Sequence, residues 1–481
     1  MNNAMVKYII GGILRIEAVL MIIPLIVSFI YREDSLYQLS FLIPILFLTA
    51  TGYLLSRSKI EERQIYAKEG FVIVSLSWVL LSFFGAFPFV ISGDIPSLID
   101  AFFETTSGFT TTGSSVIQNV EALSHSMLFW RSFTQLVGGM GVLVFALAIM
   151  PQIGSESVHI MKAEVSGPVF GKLVSKLSSS ARILYLIYLS MTAIMVVLLL
   201  FGGMNLFEAL LHAFGAAGTS GFGIRNGSIE PYDSAYIETV LSVGMILFGV
   251  NFNIYYLILV RHVKEAFSSE ELRWYFMIIG SAFLLICLNL FSTYHSFGRM
   301  FRDVFFSVSS VITTTGFLTV DFGHWPLFSR VILLLLMFVG ASAGSTAGGL
   351  KISRVILLLK SAFAEFKRIR HPNRIVAVQY DNKTVDRDIL RRVLNYLLVY
   401  LVIFISLILI VSLDFSDFET AFGTVVATFN NIGLGFSTLG LTGDFSELSD
   451  WLKVLLSFVM IAGRLEIFPM IILFSPSTWK K

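Results

Sequence analysis

The chain has 481 residues, of which 56% are hydrophobic and only 14% charged, with a net charge of +2. So much apolar surface cannot be hidden inside a soluble core of this size, which excludes an ordinary globular domain and leaves the bilayer as the solvent. Cys287 is the lone cysteine, which excludes an intrachain disulfide framework and a thiolate metal site.

Apolar runs long enough to cross a membrane fall at about 8–30, 37–56, 69–91, 127–150, 183–203, 235–260, 274–292, 327–359, 393–413 and 451–475, about ten in all. The first has no small-residue cleavage site behind it and reads as a retained span, not a signal peptide. Between alternate pairs lie shorter segments near 98–117, 205–224, 300–320 and 416–438, mixing apolar and small residues. Each is too short to cross and return as helices. Each suits a half-helix that enters the membrane and comes back as extended chain, which is tolerated only where protein or a watery cavity surrounds it.

Charge orients the spans. With the N-terminus inside, the segments Arg57 to Lys68, Lys162 to Arg182, Arg261 to Arg273 and Lys360 to Arg392 are cytoplasmic, and all carry excess Lys and Arg. The last is the most basic, with Lys367, Arg368, Arg370, Arg374, Arg391 and Arg392. Glu230, Asp233, Asp321, Asp417, Glu419, Asp444, Glu447 and Asp450 lie on the opposite side.

The expected organisation is an all-α polytopic membrane protein with four span–loop–span repeats in pseudo-fourfold arrangement around one pore. Residues 1–66 form two extra N-terminal spans, and 67–160 and 161–268 the first two repeats. Residues 269–392 form the third, with a broken helix and a basic connector that could also be a docking face, and 393–481 the fourth.

The four re-entrant segments align on Gly113, Gly221, Gly316 and Gly433. Just before these glycines stand Thr110-Thr111-Thr112, Gly218-Thr219-Ser220, Thr313-Thr314-Thr315 and Asn430-Asn431-Ile432. Six positions before them are the small residues Ser107, Gly215, Ser310 and Ala427. Eleven before are Phe102, Leu210, Phe305 and Phe422. A rival register exists in the first repeat, where Ser107-Gly108-Phe109 resembles Ser220-Gly221-Phe222.

A dehydrated K⁺ needs a ring of oxygen dipoles in place of its water shell, and consecutive backbone carbonyls supply one if all turn toward one axis. Glycine adopts the unusual dihedrals this requires, while Thr and Ser hydroxyls can add oxygens. The ion-binding residues expected are Thr111, Thr112, Thr219, Ser220, Thr314, Thr315, Asn431 and Ile432. Glycines also serve close helix packing, but four strings at matching offsets between spans favour a pore.

Gly340, Gly344, Gly348 and Gly349, with Ser345 and Thr346 among them, interrupt a long apolar run and make a poor helix interior. This segment is either a gate beneath the filter or a packing kink. Lys351 ends it and is expected to pair or snorkel toward the cytosol. Arg464 lies mid-span, where it needs water or a partner. Pore-lining with bonds to the loop carbonyls is one reading, and a structural ion pair the other. Glu466, two residues on, faces elsewhere. Arg15 and Glu17 are expected near the cytosolic interface. His212 reads as packing, His371 as solvated and Trp479 as an interfacial anchor. No nucleophile–base pair, Walker loop or metal motif is present, so the chain is not read as an enzyme.

At these strings the chain resembles the TrkH/KtrB/HKT superfamily of K⁺ transporters over essentially its whole length, and most of all its TrkH branch. The Gly340–Lys351 string resembles the TrkH gating loop, and the Gly463-Arg464-Leu465-Glu466-Ile467-Phe468 string is TrkH-like. Leu434 departs from the proline often found in relatives. The resemblance implies K⁺ uptake across the bacterial inner membrane with K⁺ as the transported ion, a homodimer with one pore per subunit, and a cytosolic nucleotide-binding TrkA-type ring as partner. An alternative keeps the pore but makes it Na⁺-permeable or couples K⁺ to H⁺ or Na⁺.

Overall fold

The computed structural model describes residues 2–57, 66–141, 177–373, 376–435 and 445–479. Residues 142–150 of the fourth apolar run, most of the Lys162 to Arg182 segment, Arg374 and Asp444 lie outside the described residues.

The described residues are mostly helical. Helices α1 (Asn3–Ile30) and α2 (Ser35–Ser56) form an antiparallel N-terminal hairpin. They cross where Gly11 and Gly52 meet: a Cβ on Gly11 would sit 2.6 Å from the Gly52 carbonyl. Small residues at such a crossing let two backbones approach closely in lipid. Grouped by the repeats expected from the sequence, the first includes α3 (Ala67–Gly85), α4 (Phe87–Ser92), α5 (Leu98–Phe109) and α6 (His125–Gly139). The second holds α7 (Leu177–Phe201), α8 (Leu206–Gly218), α9 (Ala235–Phe248), α10 (Phe252–Leu259) and the short α11 (Val263–Ser268). The third holds α12 (Glu270–Leu290), α13 (Phe297–Ile312), α14 (Leu327–Val339) and α15 (Ile352–Arg370). The fourth holds α16 (Arg387–Val411), α17 (Phe418–Phe429), α18 (Asp450–Arg464), α19 (Phe468–Phe474) and α20 (Pro476–Trp479).

Six helices among the described residues are long and apolar enough to span a membrane, starting at Asn3, Ser35, Lys68, Arg182, Glu270 and Arg387. They coincide with six of the expected spans. The other four expected spans are all broken. Helix α6 ends at Gly139, before Gly141 at φ 83°. Helices α9 and α10 meet at 87°. Helices α14 and α15 are separated by residues 340–351. Helices α18 and α19 are separated by Leu465, Glu466 and Ile467, the last two with positive φ. The sequence exposed only the third break. The others hide in apolar stretches where a glycine or two is no obstacle to a helix.

The basic connector is not featureless. Gln379–Tyr380 and Lys383–Thr384 pair as a small antiparallel hairpin. Asp381 and Asn382 turn it with φ of 49° and 59°, as a type I′ turn needs at both central positions. Large apolar side chains face outward along the spans, such as Leu398 and Leu409 at 65% exposure each. Such a surface suits acyl chains and not water.

Glu17 corrects one expectation: it is fully buried, and neither carboxylate oxygen has a hydrogen-bond partner. It lies beside Gly85, whose added Cβ would come within 3.5 Å of its Oε1. His212 is a packing residue, with Nδ1 bonded to the Glu208 carbonyl at 2.8 Å and its ring against Tyr232 and Phe317. His371 is exposed at the end of α15.

Candidate functional site

Helices α5, α8, α13 and α17 begin alike. Each has an N-cap side chain that accepts the backbone N–H three residues on: Ser97 from Asp100, Asn205 from Glu208, Ser296 from Arg299, Asp417 from Thr420. The Thr420 hydroxyl and then its backbone N–H hold the Asp417 carboxyl below its ordinary value. At 12 to 16 residues these helices are too short to span a bilayer.

They also end alike. The residue two before the aligned glycine is left-handed in every repeat, with φ of 56° at Thr111, 53° at Thr219, 55° at Thr314 and 54° at Asn431. Its N–H bonds the carbonyl three residues back, from Thr111 to Gly108, Thr219 to Ala216, Thr314 to Val311 and Asn431 to Thr428. The next N–H reaches five back, from Thr112 to Ser107, Ser220 to Gly215, Thr315 to Ser310 and Ile432 to Ala427, all at 2.8–2.9 Å. This is the Schellman termination. It gives the column of small residues a second role, as acceptors that turn each chain out of its helix. A left-handed threonine costs about 1–2 kcal/mol, and three of them in one column are strain held by the surrounding structure.

Three of the four strands then alternate in the sign of φ. Thr111, Thr314 and Asn431 are positive, Thr112, Thr315 and Ile432 are not, and Gly113, Gly316 and Gly433 are positive at 90°, 84° and 79°. Alternation of this kind turns successive carbonyls to one side of the strand. Gly221 lacks the positive φ, so the second strand departs from its fellows. Gly218 is the last residue of α8, and Thr110, Thr313 and Asn430 cap α5, α13 and α17. These four belong to the helix ends more than to the strands.

The strands abut in cyclic order. A Cβ on Gly113 would lie 3.0 Å from the Gly221 nitrogen, and one on Gly221 would lie 2.6 Å from the Thr315 carbonyl oxygen. One on Gly316 would overlap the Ile432 carbonyl, and one on Gly433 the Thr112 carbonyl, which closes the ring. No side chain fits at any of the four. The rival register in the first repeat fails here, because Gly108 lies inside α5 against Thr134. Side chains brace the ring. The Thr110 and Thr112 hydroxyls bond at 2.8 Å, as do those of Thr313 and Thr315. Asn431 Nδ2 donates across to Thr112 Oγ1 at 2.9 Å, and Tyr400 Oη donates to Asn430 Oδ1 at 2.8 Å. The Thr111 and Ser220 hydroxyls and Asn431 Oδ1 are buried without a hydrogen-bond partner.

A column missed in the sequence lies thirteen residues before the glycines, where Asp100, Glu208 and Asp303 stand. Each pairs with a base: Lys453 at 2.6 Å, Arg225 at 2.8 Å and Arg299 at 3.1 Å. Behind the first strand, Glu104 and Arg131 form a buried pair at 2.6 Å. The signal was legible as a column; Arg299 lies one helical turn before Asp303 and Arg225 17 residues after Glu208, whereas Lys453 comes from a segment 353 residues away.

The broken spans converge on the inner ends of the strands. Gly138 packs on the Phe109 carbonyl, Gly348 on the Asn430 carbonyl and Gly463 on the Phe429 carbonyl, each too closely for a Cβ. Gly348 N–H also donates to Thr314 Oγ1 at 2.7 Å. The 340–351 loop is anchored to the α9–α10 elbow. Ser342 N–H bonds the Gly249 carbonyl at 3.1 Å, and Phe252 N–H bonds the Gly344 carbonyl at 3.2 Å. Thr346 Oγ1 bonds the Phe248 carbonyl, and Ser345 Oγ bonds the Ser342 carbonyl. Gly340, Gly344 and Gly349 all take positive φ.

Arg464 ends α18 and donates to three carbonyls: Thr346 in the loop at 2.5 Å, Gly138 at 2.8 Å and Gly139 at 2.5 Å. The bond to the loop carbonyl expected in one reading of this residue is present. Glu466 pairs instead with Arg354. Lys351 does not snorkel: it is buried, at φ 74°, and its ammonium donates to the Ala347 carbonyl.

Re-entrant half-helices, strands closed into a ring and a loop pressed beneath them define an integral membrane transporter, not an enzyme. The TrkH family profile, described as a cation transport protein, matches residues 39–481. The chain is 35% identical to the Trk system potassium uptake protein TrkH of Escherichia coli (strain K12) and 32% identical to that of Halomonas elongata, with 100% of each chain covered. It superimposes on the crystal structure of the potassium transporter TrkH from Vibrio parahaemolyticus with a TM-score of 0.90 at 31% identity, again over 100% of both chains. The chain belongs to the TrkH family.

Proposed function

We propose that this chain takes up K⁺ through one gated pore, with Gly113, Gly221, Gly316 and Gly433 and the carbonyls before them as the selectivity filter. The observation that carries the reading is the ring, in which each glycine faces the next strand's backbone in cyclic order and excludes any Cβ. The half-helices present their negative C-terminal dipole ends to the ring, which favours a cation there. Alternating φ turns the carbonyls of Thr111, Thr112, Thr314, Thr315, Asn431 and Ile432 inward, and Thr219 and Ser220 complete the set. The buried hydroxyls of Thr111 and Ser220 fit a polar ion path. The relatives named above are potassium uptake proteins, which favours K⁺ over a Na⁺-permeable or coupled alternative. A membrane potential supplies about 2.3 kcal/mol per charge per 100 mV, enough to concentrate K⁺ inward without nucleotide hydrolysis in this chain.

The 340–351 loop is the gate, with Gly340, Gly344, Ser345, Thr346, Gly348, Gly349, Lys351 and Arg464 as its working residues. The repeats run 67–160, 161–268, 269–392 and 393–481. The protein sits in the inner membrane with both termini cytoplasmic, since the basic segments then face inward. It works as a homodimer with a cytosolic TrkA-type nucleotide-binding ring, docked on the basic 360–392 face.

The test is Rb⁺ uptake into proteoliposomes under an imposed potential. K⁺ should compete strongly and Na⁺ weakly, and Gly221→Arg should abolish uptake. Equal competition by Na⁺ contradicts the selectivity, and undiminished flux in Gly221→Arg contradicts the pore.

A further inference from the structure

Helix α12 opens with two adjacent glutamates that face different ways. Glu270 lies on the cytoplasmic side, paired with Lys360, and its backbone N–H donates to Asp381 of the hairpin at 2.6 Å. Glu271 points inward and is 5% exposed. Its Oε1 accepts the Ala343 N–H at 2.7 Å. The Ser353 backbone and the Asn251 side chain face the same carboxylate.

These partners occupy three mechanically distinct places. Ala343 follows Gly340, where the loop leaves α14 at φ 68° and ψ −163°, a region open essentially to glycine alone. Ser353 follows Lys351, at φ 74°, where the loop enters α15. It is the second residue of that helix, whose N-terminus favours an anion. Asn251 sits in the 87° elbow between α9 and α10. One buried carboxylate therefore bonds the loop at Ala343 and faces both the loop's far end and the neighbouring elbow.

Resting on the reading of 340–351 as a gate, we infer that Glu271 is the latch that keeps this loop closed. Displacing the loop draws Ala343 away from the carboxylate, so the closed state alone keeps this bond. Glu271 is a positioning residue: it acts on ion flow through the loop and touches neither the ring nor the ion path. The hairpin grips the adjacent Glu270, so force applied there from the cytosol reaches the latch through one peptide unit.

The experiment measures Rb⁺ flux and the K⁺/Na⁺ ratio for the purified chain in proteoliposomes without any cytosolic partner. Glu271→Ala should raise basal flux about five- to a hundredfold, since it leaves the buried Ala343 N–H without an acceptor in the closed state only, and Glu271→Gln, which keeps an acceptor oxygen but loses the carboxylate charge, should raise it less, though more than twofold. Glu271→Asp should fall between wild type and Gln. The K⁺/Na⁺ ratio should stay at the wild-type value in all three, which a general loosening of the fold would not allow. If the glutamate variants fail to fold, Ala343→Pro removes the donor from the loop side and should raise flux likewise. Flux within twofold of wild type in folded Gln and Ala variants, or in Ala343→Pro, overturns the latch. Shortening the loop between Ser342 and Thr346 separates the two readings. Higher flux there with inert Glu271 variants removes only the latch, whereas unchanged flux there removes the gate itself.

Discussion

Arg464→Gln should open the pore without relaxing its selectivity. The guanidinium joins the loop, through Thr346, to the end of α6, through Gly138 and Gly139. Glutamine keeps much of the length but loses the charge and the planar fork that reaches three carbonyls. A hydrogen bond from a charged donor contributes roughly 1.5–3 kcal/mol net. The bonds to Gly138 and Gly139 join α18 to α6, two elements that keep their places, so their loss lowers stability in both states. The bond to Thr346 is made only while the loop lies beneath the ring. Losing it shifts the closed–open equilibrium toward open by about 10- to 150-fold. Single-channel recording in planar bilayers reads this as a higher open probability, with the reversal potential in mixed K⁺ and Na⁺ unchanged. An unchanged open probability would refute the reasoning. A shifted reversal potential would mean that Arg464 shapes the filter instead.

Four further outcomes follow from the same geometry. Gly316→Ala should abolish selective flux, because its Cβ overlaps the Ile432 carbonyl at φ 84°. Gly280→Ala, with nothing within 4 Å of the added methyl, should conduct normally and gain about 0.5–1 kcal/mol in helix stability. Rb⁺ flux and thermal denaturation of the pair check both. Tyr400→Phe removes the bond to Asn430 Oδ1 at a cost of about 1 kcal/mol. It should lower the K⁺/Na⁺ ratio by loosening the fourth strand, while expression stays normal. Glu17→Met should raise the thermal midpoint with flux unchanged, since it removes a buried carboxyl that has no partner and is costly in any protonation state. A fall in the midpoint would mean that Glu17 has a partner in the membrane.

The sequence carried the filter further than the helices around it. A glycine ring needs glycine itself, because the next strand's backbone occupies the space of a Cβ, so Gly113, Gly221, Gly316 and Gly433 were legible as a column. The small residues six positions earlier, Ser107, Gly215, Ser310 and Ala427, were legible as a second column. The left-handed turn two positions before each glycine was not. Threonine disfavours that conformation, and only the packed ring and the Schellman bonds hold Thr111, Thr219 and Thr314 there. The breaks after Gly139, at Gly249 and at Leu465 were hidden because hydropathy reports depth in the membrane and not the course of the backbone. Only residues 340–349 had enough glycines to betray a break. The hairpin was written in the sequence, as the alternating Val378 to Val385 stretch around Asp381-Asn382, but lay masked by the charge of its surroundings. Arg464 and Glu271 find their partners across 118 and 72 residues of chain, a distance over which no local pattern speaks.

The most direct test of the central claim is a structure determined in Rb⁺ or Tl⁺, with anomalous scattering used to place the ion. Ion density should lie on the axis of the ring, encircled by the backbone of Thr112, Ser220, Thr315 and Ile432, with further density one residue inward, at Thr111, Thr219, Thr314 and Asn431. Density confined to side-chain carboxylates elsewhere in the membrane, with the ring empty under conducting conditions, would contradict the account.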